Sequence, residues 1–354
     1  HVLEVERASN PTDILWRNSG VTFWKWFRSR VAIFTSMTIL LGISTVLTFL
    51  LILVQLWIED RATHRAAHAA QAHAATGGSI AESIAAGQRE ASELNWELEV
   101  YVIFIGLVTN VLSFGLSQAA GGLVDHDRSA TKTQRVSNKV VLQSCIMIAN
   151  AGVIPVLNRA QAQDWFLQAG LVNTMASTLG FGCIMPIIKG VFDTGLLWNQ
   201  FRYLRPVTKS VRKGETITAS AKYLIKLNEP SEIDLPDRLS EAIQLIVIAA
   251  LITPLMPWAA VFPIVALIGM YVVDKYMICN HYRRPDVRYD ASVIEEAMRL
   301  IGFFLLIGYP ISAWWFLAPT VEDSHWMEIA MYVSLAVGVI TWATPLNLCR
   351  LLCC

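Results

Sequence analysis

Uncharged polar residues recur at helical spacing inside four consecutive apolar runs of this sequence. Amide and hydroxyl side chains in hydrocarbon need partners, so they face other helices or water rather than lipid. Stripes of this kind indicate either a hydrated path for ions or hydrogen bonds between helices, and their occurrence in four runs favours a path. The candidate path-lining residues are Thr38, Thr45, Thr48, Gln55, Asn110, Ser113, Ser117, Gln143, Asn150, Asn173, Thr174, Ser177 and Thr178.

The fourth of these runs is rich in glycine and proline, which permit a helix to bend. A hinged helix can open a path by bending, whereas the alternative role of small residues is close packing against a neighbour. At the end of the run, Lys189 and Asp193 are four residues apart and are predicted to pair. The candidate hinge residues are Gly180, Gly182, Pro186 and Gly190.

The composition places these runs in a membrane. Of the 354 residues, 54% are hydrophobic and only 16% are charged, and the mean hydropathy is +0.46. Soluble domains have about 25% charged residues, and a helix needs about 20 apolar residues to cross a bilayer. The runs without charged residues are 31–58, 100–124, 140–158, 165–188, 242–273, 300–321 and 329–349.

The run 242–273 is too long for one span, and Pro257-Trp258 is a plausible turn within it because proline removes a backbone donor. Extended to 239–276, it provides two short spans. The predicted fold class is therefore all-α, a polytopic transmembrane helix bundle of about eight spans.

The net charge is zero, with 28 basic and 28 acidic residues, which argues against a nucleic-acid partner. With eight spans, most basic residues fall on one side, and the positive-inside rule predicts that this side is cytoplasmic and holds both ends of the chain. The predicted parts are a lead-in (1–30), spans one to four (31–201) with an external segment (59–98), a basic linker (202–238), spans five to eight (239–349) and a tail (350–354).

The basic linker and the end of span four alternate apolar with basic residues. The pattern indicates either an interfacial helix on anionic lipids of the inner leaflet or an ordinary basic flank of the membrane. The candidate lipid-facing residues are Arg202, Arg205, Lys209, Arg212 and Lys213.

The external segment carries His64 and His68 on one helical face, followed by His73. They could bind a metal, but an alanine-rich solvated helix with a Gly77-Gly78 linker explains the pattern better, because a third fixed ligand is missing. No metal site and no cofactor is predicted.

The six cysteines avoid the external segment, so no structural disulfide is expected. Cys349, Cys353 and Cys354 follow the last run and are either palmitoylated or plain thiols. Motifs of hydrolases, metalloproteases and nucleotide-binding enzymes are absent, so no enzymatic activity is predicted.

Two segments resemble a known family. The stretch Asn10-Pro11-Thr12-Asp13-Ile14-Leu15-Trp16-Arg17-Asn18 resembles the Pro-x-Asp-Ile-x-Trp-x-Asn signature of the OSCA-type hyperosmolality-gated calcium-permeable channels, relatives of the anoctamins and the transmembrane channel-like proteins. The stretch 271–276, with Arg284-Pro285 and Tyr289-Asp290, is similar to their penultimate-loop pattern. Asp125-His126, Thr131-Lys132, Lys139 and Asn150 resemble the loop between their fourth and fifth helices.

The resemblance implies that the spans are the last eight of eleven, so that the sequence begins inside a longer chain. It implies a dimeric, tension-gated, calcium-permeable, non-selective cation channel, with its pore among spans one to five and its gate in span four. The anoctamin calcium site has no counterpart here, so direct calcium activation is not implied. The alternatives are a lipid scramblase and a non-conducting structural subunit of a larger membrane assembly.

Overall fold

The computed structural model describes residues 15, 18, 22–75, 80–129, 131–158, 165–166, 170–191, 234–280, 282, 292–317 and 324–343. Most of them are helical. In chain order the α-helices are α1 (Phe23–Ala75), α2 (Ile80–Val124), α3 (Lys132–Ile148), α4 (Ile154–Asn158), α5 (Leu171–Val191), α6 (Leu235–Ile252), α7 (Val261–Asn280), α8 (Ser292–Phe303), α9 (Tyr309–Leu317) and α10 (Ser324–Ala343).

Within the described residues, six helical stretches are long and apolar enough to cross a membrane, as expected of a multi-pass membrane protein. Two other predicted spans correspond to α6, which carries charged residues in its first two turns, and to α10, whose apolar part Glu328–Ile340 is shorter. The total of eight spans therefore stays a prediction. The six stretches are Phe23–Gln55, Glu99–Val124, Lys132–Leu157, Leu171–Val191, Pro257–Asn280 and Ser292–Leu317.

The long run 242–273 is broken at the predicted place. A non-helical turn at 253–256 and a 3-10 turn, Pro257–Ala260, separate α6 from α7. Pro257 has no backbone N–H, so it cannot donate to the carbonyl four residues earlier as a continuing α-helix would require. The helical ladder of α6 therefore cannot extend through this position.

Two π-helical turns interrupt helices that the sequence presents as uniform: Ala149–Val153 joins α3 to α4, and Phe304–Gly308 joins α8 to α9. Each ends two residues before a proline, Pro155 or Pro310. Because a proline has no N–H, the carbonyl four residues before it lacks its usual α-helical donor. In the π-helical turn, backbone N–H groups donate to carbonyls five residues earlier instead of four. The N–H of Ile154, for example, donates to the Ala149 carbonyl.

The segment 59–98, predicted to be external, is largely helical. α1 continues to Ala75 and α2 begins at Ile80. Alanine, the best helix former, dominates this part of the sequence and allows both helices to extend well past their apolar stretches.

The helices pack around a centre formed by α2, α3, α5 and α6. Among the described helices, α1 packs mainly against α2. α3 packs on α6 and α8, and α5 packs on α7. Trp165, predicted at the start of span four, lies in a turn before α5 and is buried edge-on against Phe316 of α9, with 5.2 Å between the ring centroids. α5 therefore begins at Leu171 rather than at Trp165.

Candidate functional site: a buried polar seam

Many of the predicted path-lining residues lie inside the bundle, where they form what we call the polar seam. Thr45 and Ser177 are half-buried at its edge, whereas Thr38 and Asn173 are exposed on the outer surface. The structure thus does not bring Thr38 and Asn173 to the seam. Its buried members are Ser44, Thr48, Gln55, Thr109, Asn110, Ser113, Ser117, Gln143, Asn150, Thr174 and Thr178.

Asn150 is the centre of the seam. It lies in the first π-helical turn and is fully buried. Its Nδ2 donates to Ser113 Oγ at 2.7 Å and to the Thr109 carbonyl at 3.4 Å, and its Oδ1 accepts from the hydroxyl of Ser44. One amide therefore connects α1, α2 and the π-turn. The sequence reading did not include Ser44, although its spacing of four from Thr48 places both on one helical face.

Asn110 and Ser177 connect α2 to α5. Asn110 Nδ2 donates to the Thr178 carbonyl and to the Gly106 carbonyl of its own helix, both at 2.9 Å, and Ser177 Oγ donates to the Val102 carbonyl at 3.2 Å. The helices approach so closely here that a Cβ on Gly106 would lie 2.5 Å from Ser177 Oγ. Glycine at position 106 is required for this contact.

Gln143 joins the seam to charged residues. Its Nε2 donates to the Ser117 carbonyl at 3.0 Å and to Asp237 Oδ1 at 2.6 Å, while Gln118 Nε2 donates to the other Asp237 oxygen at 2.7 Å. Lys139 pairs with Asp234 at 2.9 Å. Although half of the Asp234 side chain is exposed, loss of hydration raises its pKa above the ordinary value; the Asp237 carboxylate adds to the rise and Lys139 opposes it.

These residues belong to a cluster at one end of the bundle, which we call the charged end. Arg238 is its centre: it lies 3.3 Å from Asp274 and 3.5 Å from Glu241, and its Nη1 donates to the Pro186 carbonyl at 2.7 Å. The charged end comprises Lys139, Lys189, Asp234, Asp237, Arg238, Glu241 and Asp274.

Lys189 pairs with Glu241, a residue that sequence reasoning missed. Glu241 immediately precedes the run 242–273, so its burial inside the bundle was not apparent from the pattern of charges. The predicted partner of Lys189, Asp193, lies outside the described residues. The ammonium also lies 3.8 Å from the centroid of the Phe114 ring on α2.

A cavity of about 170 Å³ lies between α2, α3, α5 and α6, where the seam meets the charged end. Polar side chains from three of these helices contribute to its wall, together with apolar residues such as Phe114 and Met147. The polar lining residues are Asn110, Ser113, Lys189, Glu241 and Gln244.

The predicted hinge residues lie in a continuous α-helix, α5, and differ in their surroundings. Gly180 has open space where a Cβ would be. A Cβ on Gly182 would lie 3.2 Å from Leu245, and one on Gly190 would lie 2.6 Å from Val273. Pro186 is buried within the helix. Gly182 and Gly190 thus serve close packing in this conformation, which is the alternative role of small residues.

Other predicted sites fall partly outside the described residues. His64 is exposed and lies 3.6 Å from Asp60 of its own helix, and the part of the chain with described side chains contains no group of three metal-binding residues. Cys145, Cys183 and Cys279 are free thiols. Outside the described residues are the side chain of His73, the linker residues Arg202, Arg205, Lys209, Arg212 and Lys213, the terminal Cys349, Cys353 and Cys354, the positions 284–285 and 289–290, and most of the stretch 10–18.

Comparisons with known proteins identify no family. No protein-family model matches the chain, and no curated protein matches it. The resemblance to the OSCA-type channels thus rests on the quoted motifs.

Proposed function

We propose that this chain forms a tension-gated, non-selective cation channel that is permeable to calcium. Its conduction path follows the polar seam among α1, α2, α3, α5 and α6, and α5 forms the gate. The observation that carries the proposal is the seam itself, which leads from Asn150 through a cavity to the carboxylate of Glu241. Buried amides, hydroxyls and a carboxylate in an apolar helix bundle are the groups expected along an ion path.

The position of α1 supports the tension gating. This helix contributes Ser44 to Asn150, yet it contacts the other described helices mainly through α2. Its remaining surface exposes large apolar side chains, among them Phe34, Ile43 and Phe49. Lipid tension acts directly on such a peripheral helix, and movement of α1 relative to α2 separates Ser44 from Asn150.

A specific observation favours a second candidate function, that of a non-conducting structural subunit. The seam residues bond to each other and to backbone carbonyls across helices, as Asn150 does with Ser113 and Asn110 with the Thr178 carbonyl. Polar contacts of this kind hold membrane helices together without any conduction. The two candidates differ in whether the seam separates under tension.

Patch recordings distinguish these candidates. The full-length chain is reconstituted in liposomes, and suction is applied to excised patches in a potassium chloride gradient with and without calcium. We expect stretch-activated currents that reverse near the cation equilibrium potential. Absence of such currents, with the protein verified in the bilayer, contradicts the proposal. A fluorescent-lipid assay on the same liposomes detects scramblase activity.

A matched pair of serine substitutions tests the path. Ser113 accepts from Asn150 within the seam, whereas the Ser312 hydroxyl on α9 donates to the Tyr309 carbonyl of its own helix. We expect Ser113→Ala to change the single-channel conductance and Ser312→Ala to leave it unchanged. An unchanged conductance in both variants would place Ser113 in a helix contact only.

A further inference from the structure

The ammonium of Lys189 connects three helices at the point where the polar seam reaches the charged end. It donates to Glu241 Oε1 on α6 and lies over the Phe114 ring on α2, while its own backbone belongs to the last turn of α5. A carboxylate beside an aromatic face is a favourable environment for a cation, because both present negative charge to it. Lys189 occupies that environment.

Glu241 depends on Lys189 for its charge balance. Its side chain is only 6% exposed, and its Oε2 accepts no hydrogen bond from the described residues. The other cation nearby, Arg238, lies 3.5 Å from Glu241 but closer, at 3.3 Å, to Asp274. Because a buried carboxylate that loses its nearest counterion is strongly disfavoured, departure of the Lys189 ammonium favours the entry of another cation at the same place.

The charged end as a whole attracts cations. Among the described residues, Lys139, Lys189 and Arg238 face four carboxylates, those of Asp234, Asp237, Glu241 and Asp274, so negative charge is in excess by one within this set. Movement of the Lys189 ammonium out of the cluster raises the local excess to two. A positively charged solute then experiences stronger attraction to the vacated position.

The cavity provides room and oxygen ligands for such a solute. Lys189 and Glu241 lie in its wall, and its volume of about 170 Å³ is several times the space that one water molecule occupies. Both amide hydrogens of Asn110 are directed to carbonyl groups, and its Oδ1 lies 3.5 Å from the position of a Cβ on Gly182. Asn110 and Gly182 both line the cavity.

From these contacts the geometry points to a monovalent-cation site formed by Glu241, Phe114 and the adjoining cavity, in which the Lys189 ammonium is a tethered occupant that excludes free cations. The aromatic face suits weakly hydrated monovalent cations, such as potassium or a primary alkylammonium ion. The inference rests on the proposed function only in placing this site on a conduction path; the site itself is tested without any current.

Chemical rescue tests the site. Thermal unfolding of the purified full-length chain is followed by tryptophan fluorescence in ethylammonium chloride and in sodium chloride at equal ionic strength. We expect Lys189→Ala to lower the Tm, and ethylammonium to restore part of the loss, because the ion occupies the vacated position beside Glu241. The wild type, whose site is filled, shows no such response.

Two control variants define the site. The double variant Lys189→Ala with Glu241→Gln has no carboxylate for the ion and is expected not to respond to ethylammonium. Lys139→Ala, which removes a lysine paired with the half-exposed Asp234, is also expected not to respond. Equal responses in all variants, or none in Lys189→Ala, overturn the inference.

If Lys189→Ala yields no folded protein in sodium chloride, the yield of monodisperse protein from membranes solubilised in ethylammonium chloride replaces the Tm as the readout. Recovery supports the site. Failure to recover, while the double variant folds, overturns it.

In patches, the tethered-occupant role predicts that Lys189→Ala increases current at zero tension and that ethylammonium blocks it. Absence of current in every variant counts against the channel proposal alone, because the unfolding data judge the site separately.

Discussion

At the scale of single residues, Asn150 has the largest structural role of the predicted path residues. Its amide satisfies groups on α1 and α2, and it lies in a π-helical turn, a feature that is frequent at functional sites. The spacing of polar residues predicted that it faces the interior. The π-turn itself was not predictable from spacing, because its extra residue changes which side chains share a face beyond Asn150.

We expect Asn150→Leu to destabilise the bundle. The substitution leaves the hydroxyls of Ser44 and Ser113 without this amide partner, at a cost of roughly 1–2 kcal/mol for hydrogen bonds between membrane helices. Unfolding in mixed detergent micelles measures the loss. Asn280→Leu is the matched control, since the exposed Asn280 amide donates to the Tyr276 carbonyl of its own helix. Equal losses in both variants would contradict a central role for Asn150.

Two residues of the predicted polar stripes lie outside the seam. Thr38 and Asn173 fit the polar stripes in the sequence but are exposed, and the Thr38 hydroxyl donates to the Phe34 carbonyl of its own helix. A threonine can satisfy its hydroxyl through a carbonyl of its own helix. A threonine in a polar stripe therefore does not show whether that side of the helix faces the bundle interior or the outside. The amides of Asn110, Gln143 and Asn150 are interior whereas that of Asn173 is exposed, so the residue type alone does not determine which stripe residues are buried.

At the scale of elements, α5 contains all four predicted hinge residues. It is one continuous helix in which Gly190 packs against Val273 and Arg238, whereas Gly180 faces open space. The sequence showed that small residues gather here but could not separate flexibility from close packing, because both roles use glycine. Only the neighbours of each glycine distinguish them.

The pair Gly190→Ala and Gly180→Ala separates these roles. Both substitutions raise helix propensity by up to about 1 kcal/mol, but a methyl group at position 190 would lie 2.6 Å from Val273. We expect Gly190→Ala to lower the Tm and shift the tension of half-maximal current, and Gly180→Ala to leave both unchanged or to raise the Tm. An equal shift of tension in both variants would restore the hinge interpretation.

At the scale of the whole molecule, the apolar runs predicted the helical membrane class and the break at Pro257. They did not predict that α6 begins with a buried charged cluster. Charged residues at the edge of a run usually mark a membrane boundary, whereas here Lys189 of α5 and Arg238 of α6 are the counterions that allow Glu241 to lie inside the bundle. The order of residues along the chain does not show which distant residues become partners in the fold.

The predicted topology gives a labelling experiment. Cys279, exposed near the end of α7, and His64, exposed on the extension of α1, are predicted to lie on opposite sides of the membrane. In a variant with Cys349, Cys353 and Cys354 replaced by serine, we expect an impermeant maleimide to label Cys279 only after cells are permeabilised. With Cys279→Ser and His64→Cys added, labelling should occur in intact cells. Labelling of both positions from one side would refute the topology.

The length of α1 has a mechanical consequence. Its 53 residues span about 80 Å, whereas the apolar core of a bilayer is roughly 30 Å thick. Twisting an α-helix strains its backbone hydrogen bonds, so rotation of the projecting part is transmitted along the helix to the part that carries Ser44. Torque applied beyond the lipid, by a ligand or a neighbouring molecule at the α1–α2 extension, is therefore delivered to the contact between Ser44 and Asn150.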